Sequence, residues 1–187
     1  MKKKRVLLLG YKKNQIANFL RKKNIFVIEY GQKKITSNTL INNFDLIISY
    51  GYNKIINERY LKKLIRPPIN LHISYLPYNR GSHPNFWSFV DKTPSGVTIH
   101  EINSKVDAGA VIYRKKIKFN LNKGLTFRET YKILNIEIQK LFMLKFTKII
   151  NRTYYFKKTK DIGTFHLKKD LPKNFKSWDT KISEYIR

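Results

Sequence analysis

The feature that most constrains the fold is an alternation of short apolar runs with amphipathic segments along the first half of the chain. Residues 44–50 form a near-continuously apolar run, as expected for a strand that is buried on both faces of a sheet. Ile16, Phe19 and Leu20 recur at helical spacing and predict the buried face of a helix. This order of elements is typical of an open parallel α/β sheet. The predicted strands lie at 5–9, 25–30, 44–50 and 69–74, and the predicted helices at 14–23 and 55–64.

The second half of the chain has a different organisation, with two strands joined by a turn and then one long helix. We therefore predict an α/β fold with an open, mostly parallel, Rossmann-like sheet and flanking helices. One domain is expected over residues 1–150, and the basic, aromatic extension at 151–187 is expected to pack on it. The predicted elements here are a helix at 85–90, strands at 96–102 and 110–119, and a helix at 126–150.

Composition favours a packed protein of a reducing compartment. Of the 187 residues, 42% are hydrophobic, and none is cysteine, which excludes disulfides and thiolate metal ligands. The basic start is followed by a short apolar run, Val6 to Leu9, which is far shorter than a secretory signal or a membrane span. We expect a cytoplasmic protein without a membrane partner.

The net charge of +27 at pH 7 favours anionic ligands. Lysine is spread along the whole chain beside abundant isoleucine and asparagine, as in a background bias of composition. Charge alone therefore does not lead us to expect a nucleic-acid partner. Binding of a small anionic substrate is the simpler explanation for the excess of positive charge.

Three polar residues form the candidate catalytic group. Asn70 and His72 lie two apart on the fourth predicted strand, so their side chains point to the same side, near the strand end where open α/β sheets bind ligands. A histidine that moves a proton and an amide that donates to a developing oxyanion suit acyl transfer. Asp107, if folded alongside, would orient the histidine. On these residues alone, a buried structural histidine remains an open alternative.

Several linked motifs around these residues resemble one family. The segments NLHISYLP at 70–77, Arg80-Gly81, GVTIH at 96–100 and DAGAVI at 107–112 occur in the order found in folate-dependent formyltransferases, with Pro84 and Trp87 between them. That family includes the glycinamide ribonucleotide, methionyl-tRNA and nucleotide amino-sugar formyltransferases. The resemblance covers roughly residues 44–118.

The resemblance implies roles for these residues. Asn70 would polarise the formyl carbonyl and stabilise the oxyanion, His72 would carry the proton, and Asp107 would tune His72 and hold a water. The donor implied is 10-formyltetrahydrofolate, and no metal is implied. In such proteins the pterin lies in a slot lined by backbone groups. The corresponding donor-binding candidates here are Tyr50, Gly51, Tyr52, Ile55 and Val106.

Differences between branches of the family favour one class of acceptor. The phosphate-cradling Gly-Ser-Asn turn of the glycinamide ribonucleotide branch is replaced by Gly10-Tyr11-Lys12, and no room is expected for the extra domain of the tRNA branch. The remaining branch formylates a nucleotide-linked amino sugar. Candidate substrate-binding residues are Arg80, His83 and Lys12. The link between the second and third strands is shorter than the family usually has, so a helix there is expected to be missing or reduced to one turn.

Two other functions stay open on the sequence. One is phosphoribosylglycinamide formyltransferase activity, and the other is a basic binding module that keeps the fold without the activity. The presence of Asn70, His72 and Asp107 together favours the enzyme. The sequence also leaves a homodimer open.

Overall fold

The computed structural model describes residues 3–36, 43–158 and 161–186. A six-stranded sheet has the order β2-β1-β3-β4-β6-β7, and a separate two-stranded sheet pairs β5 with β8. The helices are α1 (Gln15–Lys22), α2 (Glu58–Leu61), α3 (Pro84–Val90), α4 (Phe127–Asn151) and α5 (Ile182–Tyr185). The strands are β1 (Arg5–Gly10), β2 (Phe26–Gly31), β3 (Leu46–Tyr50), β4 (Ile69–His72), β5 (Arg80–Gly81), β6 (Gly96–Glu101), β7 (Val111–Lys116) and β8 (Phe165–His166).

The sheet confirms the predicted mostly parallel α/β class. β1 pairs in parallel with β2 and β3, and β3 pairs in parallel with β4, whereas β6 and β7 are antiparallel additions at one edge. The β4–β6 register places Asn70 opposite His100 and His72 opposite Thr98. The pairing of β4 with β6 therefore brings a second histidine, His100, beside Asn70 and His72.

Two hydrophobic clusters cover the two faces of the sheet. On one face, α1 and α4 bury Leu20, Leu134 and Phe142 against strand residues such as Ile48. On the other face, Leu7 and Ile47 pack with residues that include Tyr60 of α2. The strands in the middle of the sheet are consequently buried on both sides, which explains their apolar sequences. None of the helices in the described residues is long and apolar enough to span a membrane.

Two local predictions differ from the structure. The helix predicted at 55–64 is reduced to the single turn of α2, because the Asn57 side chain accepts a hydrogen bond from the Arg59 N–H and so starts the helix at residue 58. The strand predicted at 110–119 is shorter, and its pairing shifts register between Ile99 and His100. The expected reduced helix between β2 and β3 falls largely on residues 37–42, outside the described residues.

The segment after α4 contacts both the loop after β4 and the start of α4. Arg80 and Gly81 of β5 pair in parallel with Phe165 and His166 of β8. Aromatic residues from this segment pack against α3 and the first residue of α4. The rings that meet in this cluster include Phe86, Trp87, Phe127, Phe175, Trp178 and Tyr185.

The start of α4 should be a local determinant of stability. Thr126 and Glu129 form a reciprocal capping box, with the Thr126 hydroxyl accepting from the Glu129 N–H. Thr126→Ala should lower the free energy of unfolding by about 1 kcal/mol, measured by urea denaturation. Thr126→Ser keeps the hydroxyl and serves as the control. An alanine variant as stable as the serine variant would contradict this assignment.

Candidate active site

One cleft opens where the parallel strands end. It has a volume of about 940 Å³ and is lined by the residues that end or follow β1, β3 and β4, namely Tyr11, Tyr50 and His72. Ligands of open α/β sheets bind at this edge. Asn70 and Asp107 line the same cleft, so the structure brings the three predicted catalytic residues together.

Asp107 is the centre of a hydrogen-bond network. Its Oδ1 accepts from Asn70 Nδ2 at 3.1 Å, and its Oδ2 accepts from the Gly81 N–H at 3.0 Å. His72 Nε2 lies 3.7 Å from Oδ2 and His100 Nε2 lies 3.5 Å from Oδ1. Burial alone would raise the pKa of Asp107, but the two imidazoles and the Gly81 N–H outweigh it and lower that pKa. Asp107 is therefore ionised at neutral pH.

His72 is a buried histidine with an unpaired nitrogen. Its side chain is 10% exposed, and Nε2 has no hydrogen-bond partner among the described residues. Burial lowers the pKa of His72, although the Asp107 charge acts in the opposite direction. The ring is therefore neutral at neutral pH and available to accept a proton.

His100 is oriented by the backbone. Its Nδ1 lies 2.8 Å from the Glu101 carbonyl oxygen, and because a carbonyl only accepts, Nδ1 carries the hydrogen. Its Nε2 then faces Asn70 Nδ2 at 3.3 Å. The contacts of His100 are thus with Asn70 and Asp107, the neighbours of His72.

The turn that carries Asp107 depends on its backbone geometry. Asp107 has a φ of 47°, in the left-handed region. Two residues later, a Cβ on Gly109 would lie 1.7 Å from the Glu101 carbonyl oxygen, so only glycine fits. The loop on the other side of the carboxylate is held by Asn79, which is fully buried and hydrogen-bonded to Thr93 and Thr164.

All five residues predicted to bind the donor line the cleft. Tyr50 is buried and its hydroxyl donates to Asn135 Oδ1 at 3.0 Å, while burial raises its pKa to about 12. Ile55 and Val106 are 77% and 47% exposed. Gly51 and Tyr52 complete this part of the wall.

Only one of the three predicted substrate-binding residues lines the cleft. His83 lines the cleft, whereas Arg80 and Lys12 are absent from its described lining. The Arg80 backbone N–H donates to the Thr164 carbonyl as β5 pairs with β8. The aliphatic end of the Lys12 side chain lies against Gly31.

Other residues of the lining were not singled out from the sequence. On one wall, the hydroxyls of Tyr11 and Tyr131 are 2.7 Å apart. Arg128, Lys168 and Trp178 line another part of the cleft. No local motif marks these residues. Lys168 and Trp178 come from the C-terminal segment and reach the cleft only through tertiary packing. The described residues contain no group of three or more His, Cys, Asp or Glu side chains placed to hold a metal ion.

Comparison with known proteins agrees with this architecture. Residues 2–133 match the family model described as formyl transferase. The formyltransferase PseJ from Anoxybacillus kamchatkensis, solved in complex with UDP-4,6-dideoxy-4-formamido-L-AltNAc and tetrahydrofolate, is 36% identical, with a TM-score of 0.86 over 96% of each chain. An N-formyltransferase from Helicobacter canadensis, in complex with folinic acid and dTDP-3-aminofucose, shares the fold at 22% identity, with a TM-score of 0.73 over 94% of this chain and 74% of that one.

The fold is of the α/β class, and its cleft lies at the ends of the parallel strands. The chain belongs to the formyl transferase family, as the predicted resemblance implied. A relative named dTDP-4-amino-4,6-dideoxyglucose formyltransferase, from Mycobacterium tuberculosis, is 29% identical over 136 residues, which are 71% of this chain. The match covers 55% of that relative, so the chain spans about half the length of the curated relatives it matches first.

The buried neutral His72 should make the protein less stable in mild acid. Its pKa in the folded protein lies below the ordinary 6.5, so the unfolded chain binds the proton more tightly and stability falls as the pH drops. His72→Gln should lose less stability between about pH 7 and about pH 5, because glutamine does not titrate. Urea unfolding at both pH values measures this. His83 contributes in the same direction in both proteins, so identical pH dependences would contradict the assignment to His72.

Proposed function

We propose that the chain transfers the formyl group of 10-formyltetrahydrofolate to the amine of a nucleotide-linked amino sugar. The observation that carries the proposal is the buried, unpaired Nε2 of His72 beside the Asn70–Asp107 pair, in a cleft at the strand ends. Attack of an amine on a formyl carbon requires a neutral base to take the amine's proton and, beside it, an amide donor to stabilise the carbonyl oxygen. Family membership supports the same reaction.

The proposed reaction uses the three residues in sequence. The acceptor amine attacks the formyl carbon, and its nitrogen forms a new bond to that carbon while the carbonyl oxygen becomes negative. His72 takes the proton that the amine loses, and the bond from carbon to the folate nitrogen then breaks as that nitrogen receives a proton. Asp107 stabilises the imidazolium in between, because its carboxylate lies 3.7 Å from His72 Nε2.

Asn70 is proposed to stabilise the oxyanion. Its amide nitrogen carries two hydrogens, and the contact with Asp107 uses one of them. The second faces His100 Nε2 at 3.3 Å, a long hydrogen bond that a developing negative charge would replace. The Asp107 contact also fixes the orientation of the amide.

The choice of acceptor is supported by similarity over the whole chain. PseJ, which was solved in complex with a UDP-linked formamido sugar, aligns over 96% of this chain. The cleft, at about 940 Å³, lies at the upper end of the range for small-molecule sites, as a site for two ligands requires. The excess of positive charge would favour a nucleotide diphosphate.

Removal of the proton carrier His72 or of the carboxylate that stabilises it should stop the reaction. His72→Ala and Asp107→Ala should each abolish formyl transfer and leave the fold intact, as checked by circular dichroism and a formylation assay with the folate donor. Near wild-type turnover by either variant would contradict the proposed mechanism.

Loss of the oxyanion donor should have a smaller effect. Asn70→Ala should reduce kcat by about 10²-fold to 10³-fold, equivalent to about 3 kcal/mol of transition-state stabilisation. Steady-state kinetics measure it, and Asn122→Ala, which changes an exposed asparagine outside the cleft lining, serves as the control. A reduction of less than about threefold would remove Asn70 from the proposed role.

The acceptor is tested with a panel of nucleotide amino sugars that includes UDP-linked and dTDP-linked 4-amino sugars, with glycinamide ribonucleotide in parallel. We expect turnover with at least one nucleotide sugar. Turnover with glycinamide ribonucleotide alone would replace the proposed acceptor and keep the proposed reaction.

A further inference from the structure

A second part of the cleft is built by residues outside the predicted site. The starts of α3 and α4 and the C-terminal segment line it, through His83, Arg128, Lys168 and Trp178. This part continues from Gly81, whose N–H donates to Asp107, through Ser82 to His83. It therefore adjoins the catalytic residues without including them.

The aromatic component of this part is a pair of rings. The Trp178 indole and the His83 imidazole have centroids 5.3 Å apart at an angle of 34°. Trp178 is supported from behind by Phe175 at 4.6 Å and by Phe86 at 6.3 Å, with the Phe86 ring nearly perpendicular. The half-buried Trp178 and His83 rings both line the cleft, and aromatic rings held in a fixed orientation suit contact with a planar ligand group.

The charged component is a pair of basic side chains. Lys168 is exposed, forms no ion pair within the described ranges, and lies close enough to His83 for its charge to act on that ring. Arg128 is held by a two-point contact with Asp179, at 2.6 Å and 3.0 Å, so most of its charge is already balanced. Lys168 is thus the cation available to an anion that lies beside the rings.

The backbone fixes this part relative to α4. The Arg128 N–H donates to the Trp178 carbonyl at 2.8 Å, and the Phe127 N–H donates to the Thr180 carbonyl at 3.3 Å. The first turn of the helix would otherwise leave these donors unpaired. The position of Trp178 therefore depends on the helix start and not only on side-chain packing.

We propose that this surface binds the nucleoside diphosphate of the acceptor, with the base against Trp178 and His83 and the diphosphate beside Lys168. The inference rests on the proposed function, since it places the nucleotide part of that acceptor. A flat aromatic surface next to an unpaired cation matches a base linked to phosphates, and neither feature matches an uncharged sugar alone. The amino sugar then extends past Ser82 and Gly81 toward His72.

Tryptophan fluorescence tests this assignment directly with UDP and dTDP as probes. The chain has two tryptophans, and Trp87 is buried and stacked on His166 at 4.0 Å, outside the cleft lining. UDP should quench the wild-type emission, Trp87→Phe should keep the response, and Trp178→Phe should lose it. A response that persists in Trp178→Phe would overturn the proposal.

Affinity measurements by calorimetry separate the two components. Trp178→Ala should weaken UDP binding about tenfold or more, as loss of base stacking does. Lys168→Ala should weaken it about fivefold, and more at low salt. Lys169→Ala, an exposed neighbour that does not line the cleft, is the matched control and should bind normally. Unchanged affinity in Lys168→Ala and Trp178→Ala would overturn the proposal.

Kinetics distinguish failure of this inference from failure of the proposed function. If the enzyme formylates a nucleotide sugar, Lys168→Ala should raise KM for that acceptor and leave KM for the folate donor unchanged. An unchanged acceptor KM would overturn the subsite while the reaction stands. If no acceptor in the panel is formylated but UDP binding still depends on Trp178 and Lys168, the subsite is supported and the proposed function fails.

Discussion

The carboxylate of Asp107, whose side chain is 12% exposed, makes the interactions on which the rest of the site depends. It lies in the turn between β6 and β7, and it accepts hydrogen bonds from the Asn70 amide on β4 and from the Gly81 N–H in the following loop. A buried carboxylate is costly unless its oxygens are paired, so these donors hold the charge in place while the charge holds them. Segments that are far apart in sequence therefore meet at one point, and the orientation of the Asn70 amide follows from that meeting.

His72 and Asp107 have opposite electrostatic roles in the cleft, because the imidazole is neutral and the carboxylate is charged. Burial lowers the pKa of His72, while the donors around Asp107 keep that carboxyl ionised in spite of its burial. A neutral base beside a permanent negative charge can accept a proton and be stabilised once it has done so. His100 belongs to this arrangement, because its Nδ1 is tied to the Glu101 carbonyl and its Nε2 is left facing Asn70.

The C-terminal segment completes the cleft from outside the region that matches the family model, residues 2–133. It pairs with the loop after β4 through β8, and its backbone accepts hydrogen bonds from the first residues of α4. The core of the family therefore supplies the Asn70, His72 and Asp107 cluster, while the added segment supplies Trp178 and Lys168 to the wall.

Sequence periodicity was sufficient for the sheet class, for α4 and for the common side of Asn70 and His72, because strand and helix repeats are local properties of the chain. The motifs were sufficient for the family. Periodicity could not show that the helix at 55–64 is a single turn, since one Asn57 cap decides where it starts. Nor could it show that Arg80 and Lys12 lie off the cleft lining while Trp178 lies on it. Those positions, like the pairing of Asn70 with His100, depend on strand register and on packing between distant segments, which only the tertiary structure determines.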